Sequence, residues 1–300
     1  MKIRKAVITA AGWGTRFLPA TKVQPKEMLP LLNKPIIQYA VEEAIASGIE
    51  QVIIVTAMGK HSVEDHFDRS FELERVLEEK GMADALDEVS SIGDSVNICY
   101  IRHRDQLGLG HAVLTTRDFI GEEPFALLLP DDIIVNEVPV TKQLLEAFEQ
   151  CQGSILAIEE VPEERISSYG IIKPRQLDEH LYQVVGMVEK PEAHLAPSRL
   201  GIVGRYVLTP EIFLALEQTS TGKNGEIQLT DGLSRLLSKQ RIYGYRFDGM
   251  RYDCGTPIGL LKAAIAFALD STDMAGELGE YLAELRLQKG LPSFSSSIRR

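Results

Sequence analysis

Through the first half of the 300-residue chain, short β-branched or apolar runs take turns with longer stretches whose apolar positions recur at helical spacing. Residues 6–9 (AVIT) read as a buried strand ending at small residues and glycine. From 35 to 47, Ile36, Ile37, Ala40, Val41, Ala44 and Ile45 follow helical spacing, with Pro35 suited to the first turn and Gly48 to the residue past the end. Residues 52–56 and 97–102 predict strands and 111–119 a helix. A continuous apolar strand over 125–129 breaks at Pro130 and Asp131. Strand, helix, strand in repetition restricts the topology sharply. Right-handed crossovers stack such strands into a mostly parallel sheet covered on both faces.

The second half has a different texture. Short strands are predicted at 154–159, 170–173, 183–189 and 203–208, separated by polar turns, with helices at 212–217 and 228–239. A last strand, 242–247, leads to Tyr252-Asp253-Cys254-Gly255-Thr256-Pro257, and helices follow at 258–270 and 274–288. No Gly/Ser-rich or Pro-rich linker and no internal repeat divides the chain. We expect one α/β domain over residues 1–270, a C-terminal helix within 271–292, and a flexible serine-rich tail at 293–300.

The charge balance, 32 Lys and Arg against 43 Asp and Glu, gives −11. It disfavours nucleic acid or an anionic membrane as a partner held by bulk electrostatics, but leaves room for a small anion held by a few local cations. Three scattered cysteines, Cys99, Cys151 and Cys254, without a C-x-x-C, suggest neither a disulfide framework nor a zinc site. The apolar start is interrupted by Gly12, Gly14 and Arg16, unlike a signal peptide, and no run of about 18 apolar residues occurs. The expectation is a cytoplasmic protein without membrane spans.

Ala10-Ala11-Gly12-Trp13-Gly14-Thr15-Arg16 follows the first strand directly. Two glycines let backbone N–H groups approach an anion, and Arg16 adds a fork of donors for phosphate oxygens. A dinucleotide fingerprint wants a third glycine or alanine where Phe17 stands, and no Gly-Lys-Ser/Thr closes a P-loop. The segment is a nucleotide loop of another design or a tight turn. Lys22 and Pro25-Lys26-Glu27-Met28-Leu29-Pro30 come next, and prolines on both sides narrow the conformations open to Lys26. A stiffly held lysine beside a glycine-rich loop suits a triphosphate. Asp131, after an apolar strand, falls where parallel sheets bind ligands, and its carboxylate could serve Mg²⁺, with Asp132 as competitor. Glu189-Lys190 closes a strand with adjacent carboxylate and cation, a pair that could meet hydroxyls and a phosphate on one ligand or be an ordinary surface pair. The histidines His61, His66, His111, His180 and His194 show no metal-ligand spacing.

These blocks, with Val63-Glu64-Asp65-His66-Phe67-Asp68, Gly108-Leu109-Gly110-His111-Ala112, Leu129-Pro130-Asp131-Asp132, Val188-Glu189-Lys190-Pro191, Gly201-Ile202-Val203-Gly204-Arg205-Tyr206, Gly225-Glu226-Ile227-Gln228-Leu229-Thr230-Asp231 and Tyr252-Asp253-Cys254-Gly255-Thr256, fall in the order of the sugar-nucleotide pyrophosphorylases. The chain resembles that family from about residue 3 to 270, most closely its members that transfer uridylyl groups. The resemblance implies a Rossmann-like nucleotidyltransferase with a mixed, mostly parallel central sheet and a sugar-binding insertion. It further implies UTP and glucose 1-phosphate as substrates, UDP-glucose and pyrophosphate as products, Mg²⁺ as cofactor, and a homodimer or homotetramer. By resemblance, Arg16, Lys26 and Lys190 are catalytic, and Asp131 and Asp253 bind the metal. Ala10, Ala11, Gly12, Gly14, Thr15, His103, Gln106 and Gly108 bind the nucleotide. Gly170, Glu189, Val203 and Gly204 bind the sugar, while Tyr169 and Arg205 are packing or supporting groups.

The base pocket departs from the family pattern. Related uridylyltransferases carry Arg-Gln before the Gly-Leu-Gly-His block, and this chain has Arg102-His103, with a glutamine only at Gln106. An amide donates and accepts on one face, whereas one neutral imidazole nitrogen does one or the other. His103 or Gln106 could meet the pyrimidine edge, so a thymidylyltransferase acting on the same sugar phosphate is the nearest alternative. A non-catalytic nucleotide-binding paralogue is a second alternative, and a nicotinamide-dependent oxidoreductase, which would leave the lysine block and Glu189-Lys190 unexplained, is a third.

Overall fold

The computed structural model describes residues 2–94, 96–222 and 225–290; the expected tail at 293–300 lies outside the described residues. The chain opens with strand β1 (Lys5–Thr9), then three 3-10 turns and a small hairpin, β2 (Pro30–Leu31) with β3 (Lys34–Pro35). Helix α1 (Ile36–Ala46) begins one residue after Pro35, which stands at its N-cap, and Gly48 takes φ 85° just beyond its end. Strand β4 (Gln51–Thr56) follows. Helices α2 (His61–Phe67), α3 (Phe71–Glu79) and α4 (Ala83–Asp94) occupy a stretch in which the sequence reading placed no elements. Strand β5 (Asn97–Arg102) is as predicted.

The single helix expected at 111–119 is two, α5 (Leu109–Leu114) and α6 (Arg117–Ile120). Thr115 Oγ1 and Thr116 Oγ1 donate back to the carbonyls of Ala112 and Val113, both at 2.7 Å, and local hydroxyl bonding of this kind competes with helix continuation. Next come β6 (Phe125–Leu128), β7 (Asp132–Val135), α7 (Val140–Cys151) and β8 (Ser154–Glu160). The second half supplies β9 (Gly170–Gln176), β10 (Leu181–Glu189), β11 (Leu200–Leu208), α8 (Glu211–Glu217), α9 (Leu229–Leu236), β12 (Ile242–Arg246), β13 (Met250–Asp253), α10 (Pro257–Asp270) and α11 (Ala275–Lys289).

Nine strands form one mixed sheet in the order β5-β4-β1-β6-β11-β8-β12-β10-β9. Pairing is parallel from β5 to β6, the half built by strand–helix crossovers, and parallel again between β8 and β12. The remaining ladders are antiparallel, and of these β9 and β10 form a hairpin over the short polar turn at 177–180. At the far end β9 bends back to meet β11 at Ile171 and Gly201.

Side chains alternate across this sheet with the period of two that strands impose. Val7, Ile53, Val55 and Leu127 pack with residues of α5, α8 and α9 on one face. Ala6, Ile8, Ile54 and Leu128 pack with α1 and α7 on the other. Fully burying a side chain such as Ile37 or Leu144 contributes roughly 1.5–3 kcal/mol, which is why amphipathic helices settle on both faces. Among the described residues, no helix is long and apolar enough to cross a membrane.

A two-stranded ribbon outside the main sheet matters most for the site. β13 pairs antiparallel with β7, setting Asp253 opposite Asp132. The Cys254 amide then donates to the Asp131 carbonyl at 2.7 Å. Two segments distant in sequence thus deliver carboxylates to the carboxyl end of β6, beside the loop that leaves β1.

Candidate active site

The loop after β1 lies against Lys26. Gly14 has φ 65°, a left-handed conformation that L side chains rarely adopt, and opens the 3-10 turn Thr15–Phe17. A Cβ there would stand 3.0 Å from Lys26 Cβ and 3.2 Å from Thr21 Cγ2. Thr21 Oγ1 secures the turn by donating to the Gly14 carbonyl at 2.7 Å. Ala11, Gly12, Trp13, Gly14, Thr15 and Arg16 line a cavity of about 770 Å³. Ala10, expected among the nucleotide contacts, does not line it. Its amide donates to the Val55 carbonyl at 2.8 Å, and the residue is fully buried as an extension of the sheet. Trp13 is 74% exposed at the mouth.

Lys26 Nζ donates to Asp131 Oδ2 at 2.6 Å. Burial works against charge on both groups, yet each holds the other ionised: the lysine is raised and the carboxyl lowered from their ordinary values. The next residue, Glu27, is 1% exposed and accepts from Lys60 Nζ at 2.7 Å. Burial dominates this second pair, pushing the Glu27 carboxyl up and the Lys60 ammonium down.

Asp131 and Asp253 converge on Gly255. A Cβ on that glycine would stand 3.0 Å from Asp131 Oδ2 and 3.1 Å from Asp253 Oδ1, so bare backbone separates the carboxylates. Arg16 approaches the same point, donating to the Gly255 carbonyl at 3.4 Å. Two hard oxygen donors facing a cavity fit Mg²⁺, which takes one or two protein carboxylates and completes its shell with phosphate oxygens and water. No group of three or more His, Cys, Asp or Glu suited to a metal occurs among the described residues.

Asp132 is occupied otherwise. Its Oδ2 accepts from the Gly204 amide at 2.8 Å and its Oδ1 from Arg251 Nε at 2.7 Å. Arg251 also pairs with Glu159 and donates to the Tyr169 hydroxyl at 3.2 Å. Between the neighbouring aspartates, Asp131 faces the cavity's cations and Asp132 ties the framework together. Gly204, expected at the sugar, does line the cavity, but its amide serves Asp132, and a Cβ would fall 2.5 Å from Asp132 Oδ2. Arg205, 1% exposed, spends its donors on Glu43 of α1 and on the carbonyls of Leu129, Gly204 and Asp132, at 2.7–3.0 Å. It is the clamp on the Asp131 loop. Cys254 is buried there as an inert thiol, pushed up to about 12 by burial and then by Asp131, Asp132 and Asp253.

Glu189, Lys190, Gly170 and Val203, the expected sugar contacts, line the cavity. Adjacent residues of a strand point to opposite faces, but Lys190 takes φ 45° and its Nζ lies 3.1 Å from Glu189 Oε1. The turn brings both head groups together, at a backbone conformation uncommon for lysine and typical of functional sites. Gly170 sits opposite Glu189 in the ladder, and a Cβ there would stand 3.2 Å from Glu189 Oε2.

His103, Gln106 and Gly108 also line the cavity. His103 Nε2 lies 2.7 Å from His111 Nδ1. Burial, and secondarily His111, pushes the His103 imidazole down to about 4, so it is neutral at pH 7. Gln106, at φ 45°, has a buried Oε1 without a hydrogen-bond partner among the described residues. An acceptor left so is costly unless a ligand donates to it. Gly108 is crowded from behind: a Cβ would stand 2.8 Å from Glu226 Cβ.

Every expected site residue except Ala10 therefore lines one cavity. The sequence reading missed Arg165, Arg251, Glu226, Gln228 and Thr230, which also line it. It treated His111 as incidental and gave Glu43 no role. Glu43 carried a signal, since it is a charged residue beside Ala40, Val41 and Ala44 on the apolar face of α1.

A family model described as nucleotidyl transferase matches residues 5–269. The chain is 52% identical over 284 residues to the UTP–glucose-1-phosphate uridylyltransferase of Staphylococcus haemolyticus (strain JCSC1435), covering 95% of this chain and 99% of that protein. The UTP-bound UGPase from Acinetobacter baumannii superposes with a TM-score of 0.88 at 39% identity, covering 95% of this chain and 100% of that one. A UDP-glucose pyrophosphorylase complexed with UDP-glucose gives 0.84 at 45% identity, over 90% of this chain and 100% of that one. With Arg16, Lys26, Asp131, Asp253, Glu189 and Lys190 gathered as the sequence blocks require, the chain belongs to the nucleotidyl transferase family.

Proposed function

We propose that the chain forms UDP-glucose and pyrophosphate from UTP and glucose 1-phosphate. The observation that carries this is one cavity lined by Arg16, Lys26 and Lys190, by the two convergent carboxylates of Asp131 and Asp253, and by Glu189 and Gln106. The relatives named for this activity match nearly the whole chain.

In this reading the triphosphate lies along the loop of Ala11, Gly12, Gly14 and Thr15, and the base reaches His103, Gln106 and Gly108. The unpartnered Gln106 Oε1 accepts the imide N–H of the pyrimidine. Glu189 accepts from sugar hydroxyls, Lys190 holds the sugar phosphate, and Gly170 and Val203 shape the wall. A phosphate oxygen of glucose 1-phosphate attacks the α-phosphorus in line, and pyrophosphate leaves opposite. That oxygen is already ionised at pH 7, so no general base is needed. The chain's part is to orient both anions and neutralise their charge with Arg16, Lys26 and Lys190. A divalent cation, Mg²⁺ in this reading, would be held by Asp131 and Asp253 and would supply further neutralisation of phosphate charge.

The catalytic unit is read as residues 1–270, with Ala275–Lys289 as an appended helix. The use of a nucleoside triphosphate argues for the cytoplasm. Ile258, Leu261 and Leu269 stand exposed on α10 and support association into a homodimer or homotetramer. The test is pyrophosphate release measured across four nucleoside triphosphates and several sugar 1-phosphates. UTP with glucose 1-phosphate is expected to be fastest. Release faster with dTTP would reassign the protein as a thymidylyltransferase, and no release with any pair would refute catalysis.

A further inference from the structure

Arg165 is a cavity cation for which the proposed reaction has no task so far. It lies in the 3-10 turn Glu163–Ser168, its side chain is 44% exposed, and it pairs with Asp253 Oδ2. Its guanidinium rests over the Tyr169 ring, 5.5 Å from the centroid. We propose that Arg165 binds the phosphate of the incoming sugar phosphate, and that Asp253 is the resting partner it gives up when a divalent cation occupies that carboxylate. This rests on the function proposed above.

Charge matching supports the exchange. In the structure each of the two convergent carboxylates has one cation of the chain, Lys26 on Asp131 and Arg165 on Asp253. A divalent cation bound to both would neutralise both and leave Lys26 and Arg165 without carboxylate partners, inside a cavity where the substrates bring phosphates. A guanidinium suits that second partner, because its planar fork meets phosphate as well as carboxylate.

Mobility supports it too. Arg251 also lies over the Tyr169 ring, 5.3 Å from its centroid, but its side chain is only 7% exposed and is fixed by Asp132 and Glu159. Arg165 is half in solvent with one carboxylate partner, so exchanging that partner costs little. Position selects the phosphate. The Tyr169 carbonyl accepts from the Lys190 amide at 3.0 Å, which places the Arg165 turn at the sugar end, beside Lys190 rather than along the glycine loop.

The test uses the full chain and the variants Arg165→Gln and Arg165→Lys, with wild-type pyrophosphate release from UTP and glucose 1-phosphate established first. Arg165→Gln should raise KM for glucose 1-phosphate roughly tenfold or more while KM for UTP stays within about twofold, with Arg165→Lys between. Mn²⁺ alone, titrated without substrates by electron paramagnetic resonance, should bind Arg165→Gln about threefold more tightly, since no cation competes for Asp253. An unchanged sugar-phosphate KM, a parallel rise in both KM values, or unchanged or weaker Mn²⁺ binding, in a variant of wild-type melting temperature, overturns the inference alone. A wild-type protein releasing no pyrophosphate overturns the function and this inference with it.

Discussion

Lys26 Nζ and Asp131 Oδ2 meet at 2.6 Å and join a 3-10 turn near the start of the chain to the loop leaving β6. The pair sits where the glycine loop, the Gly255 backbone and Arg16 come together. It therefore holds a cation and a carboxylate together at the cavity wall.

Removing either group should stop turnover without unfolding the protein. Lys26→Ala and Asp131→Ala are each expected to lower the rate by about 10²–10³, as single-donor removals do in other active sites. Pyrophosphate release at saturating Mg²⁺ is the measurement. Near-normal turnover in either variant would remove that residue from the reacting centre.

The clamp at Arg205 should matter for stability first. Glu43→Gln removes the carboxylate that accepts from Arg205 Nε and Nη2, leaving a buried guanidinium short of a counter-charge. Breaking a buried pair in this way costs about 3–5 kcal/mol. Urea denaturation should show that loss, and a change under about 1 kcal/mol would mean that the backbone carbonyls alone satisfy the arginine.

A single methyl group at Gly204 should be poorly tolerated. A Cβ there would stand 2.5 Å from Asp132 Oδ2 and 2.8 Å from Leu129 Cβ, and the crowded atoms belong to the loop that carries Asp131. Gly204→Ala is expected to destabilise by roughly 1–3 kcal/mol, as overpacking does, and to lower turnover. A wild-type melting temperature together with wild-type activity would contradict this.

Acid should weaken the fold through His103. Its folded value of about 4 is below the ordinary histidine value near 6.5, so the folded protein resists the proton that the unfolded chain accepts. That contribution is whole above about pH 6.5 and is lost as pH falls towards 4. The urea midpoint should drop across this window, and His103→Gln should flatten the drop. An equal slope in the variant would assign the acid sensitivity elsewhere.

The parallel half of the sheet was legible because each of its elements advertises itself locally. The apolar runs of β1, β4 and β6 and the spacing along α1 need only neighbouring residues to be read. The glycine loop and Lys26 were legible for the same reason, being one continuous stretch. The region 61–94 was not assigned, because α2 to α4 are rich in charged residues and bury few apolar ones, although α3 and α4 are amphipathic. The break between α5 and α6 turned on two threonine hydroxyls that pattern reading treats as ordinary helix residues.

By itself, the sequence determined which groups the chain carries: a glycine-rich backbone loop, cations in stiff settings, and carboxylates after apolar strands. Only the tertiary structure decided which of those groups share a site. Asp131 and Asp132 are indistinguishable as neighbours in sequence, and the Gly204 amide and Arg251 claimed one and left the other to Lys26. Asp253 joined them through the ladder between β7 and β13, and Arg165 entered through Asp253. The physical reason is range. Helix and strand patterns arise from contacts a few residues apart, while ion pairs and burial depend on segments that meet only when the sheet is assembled.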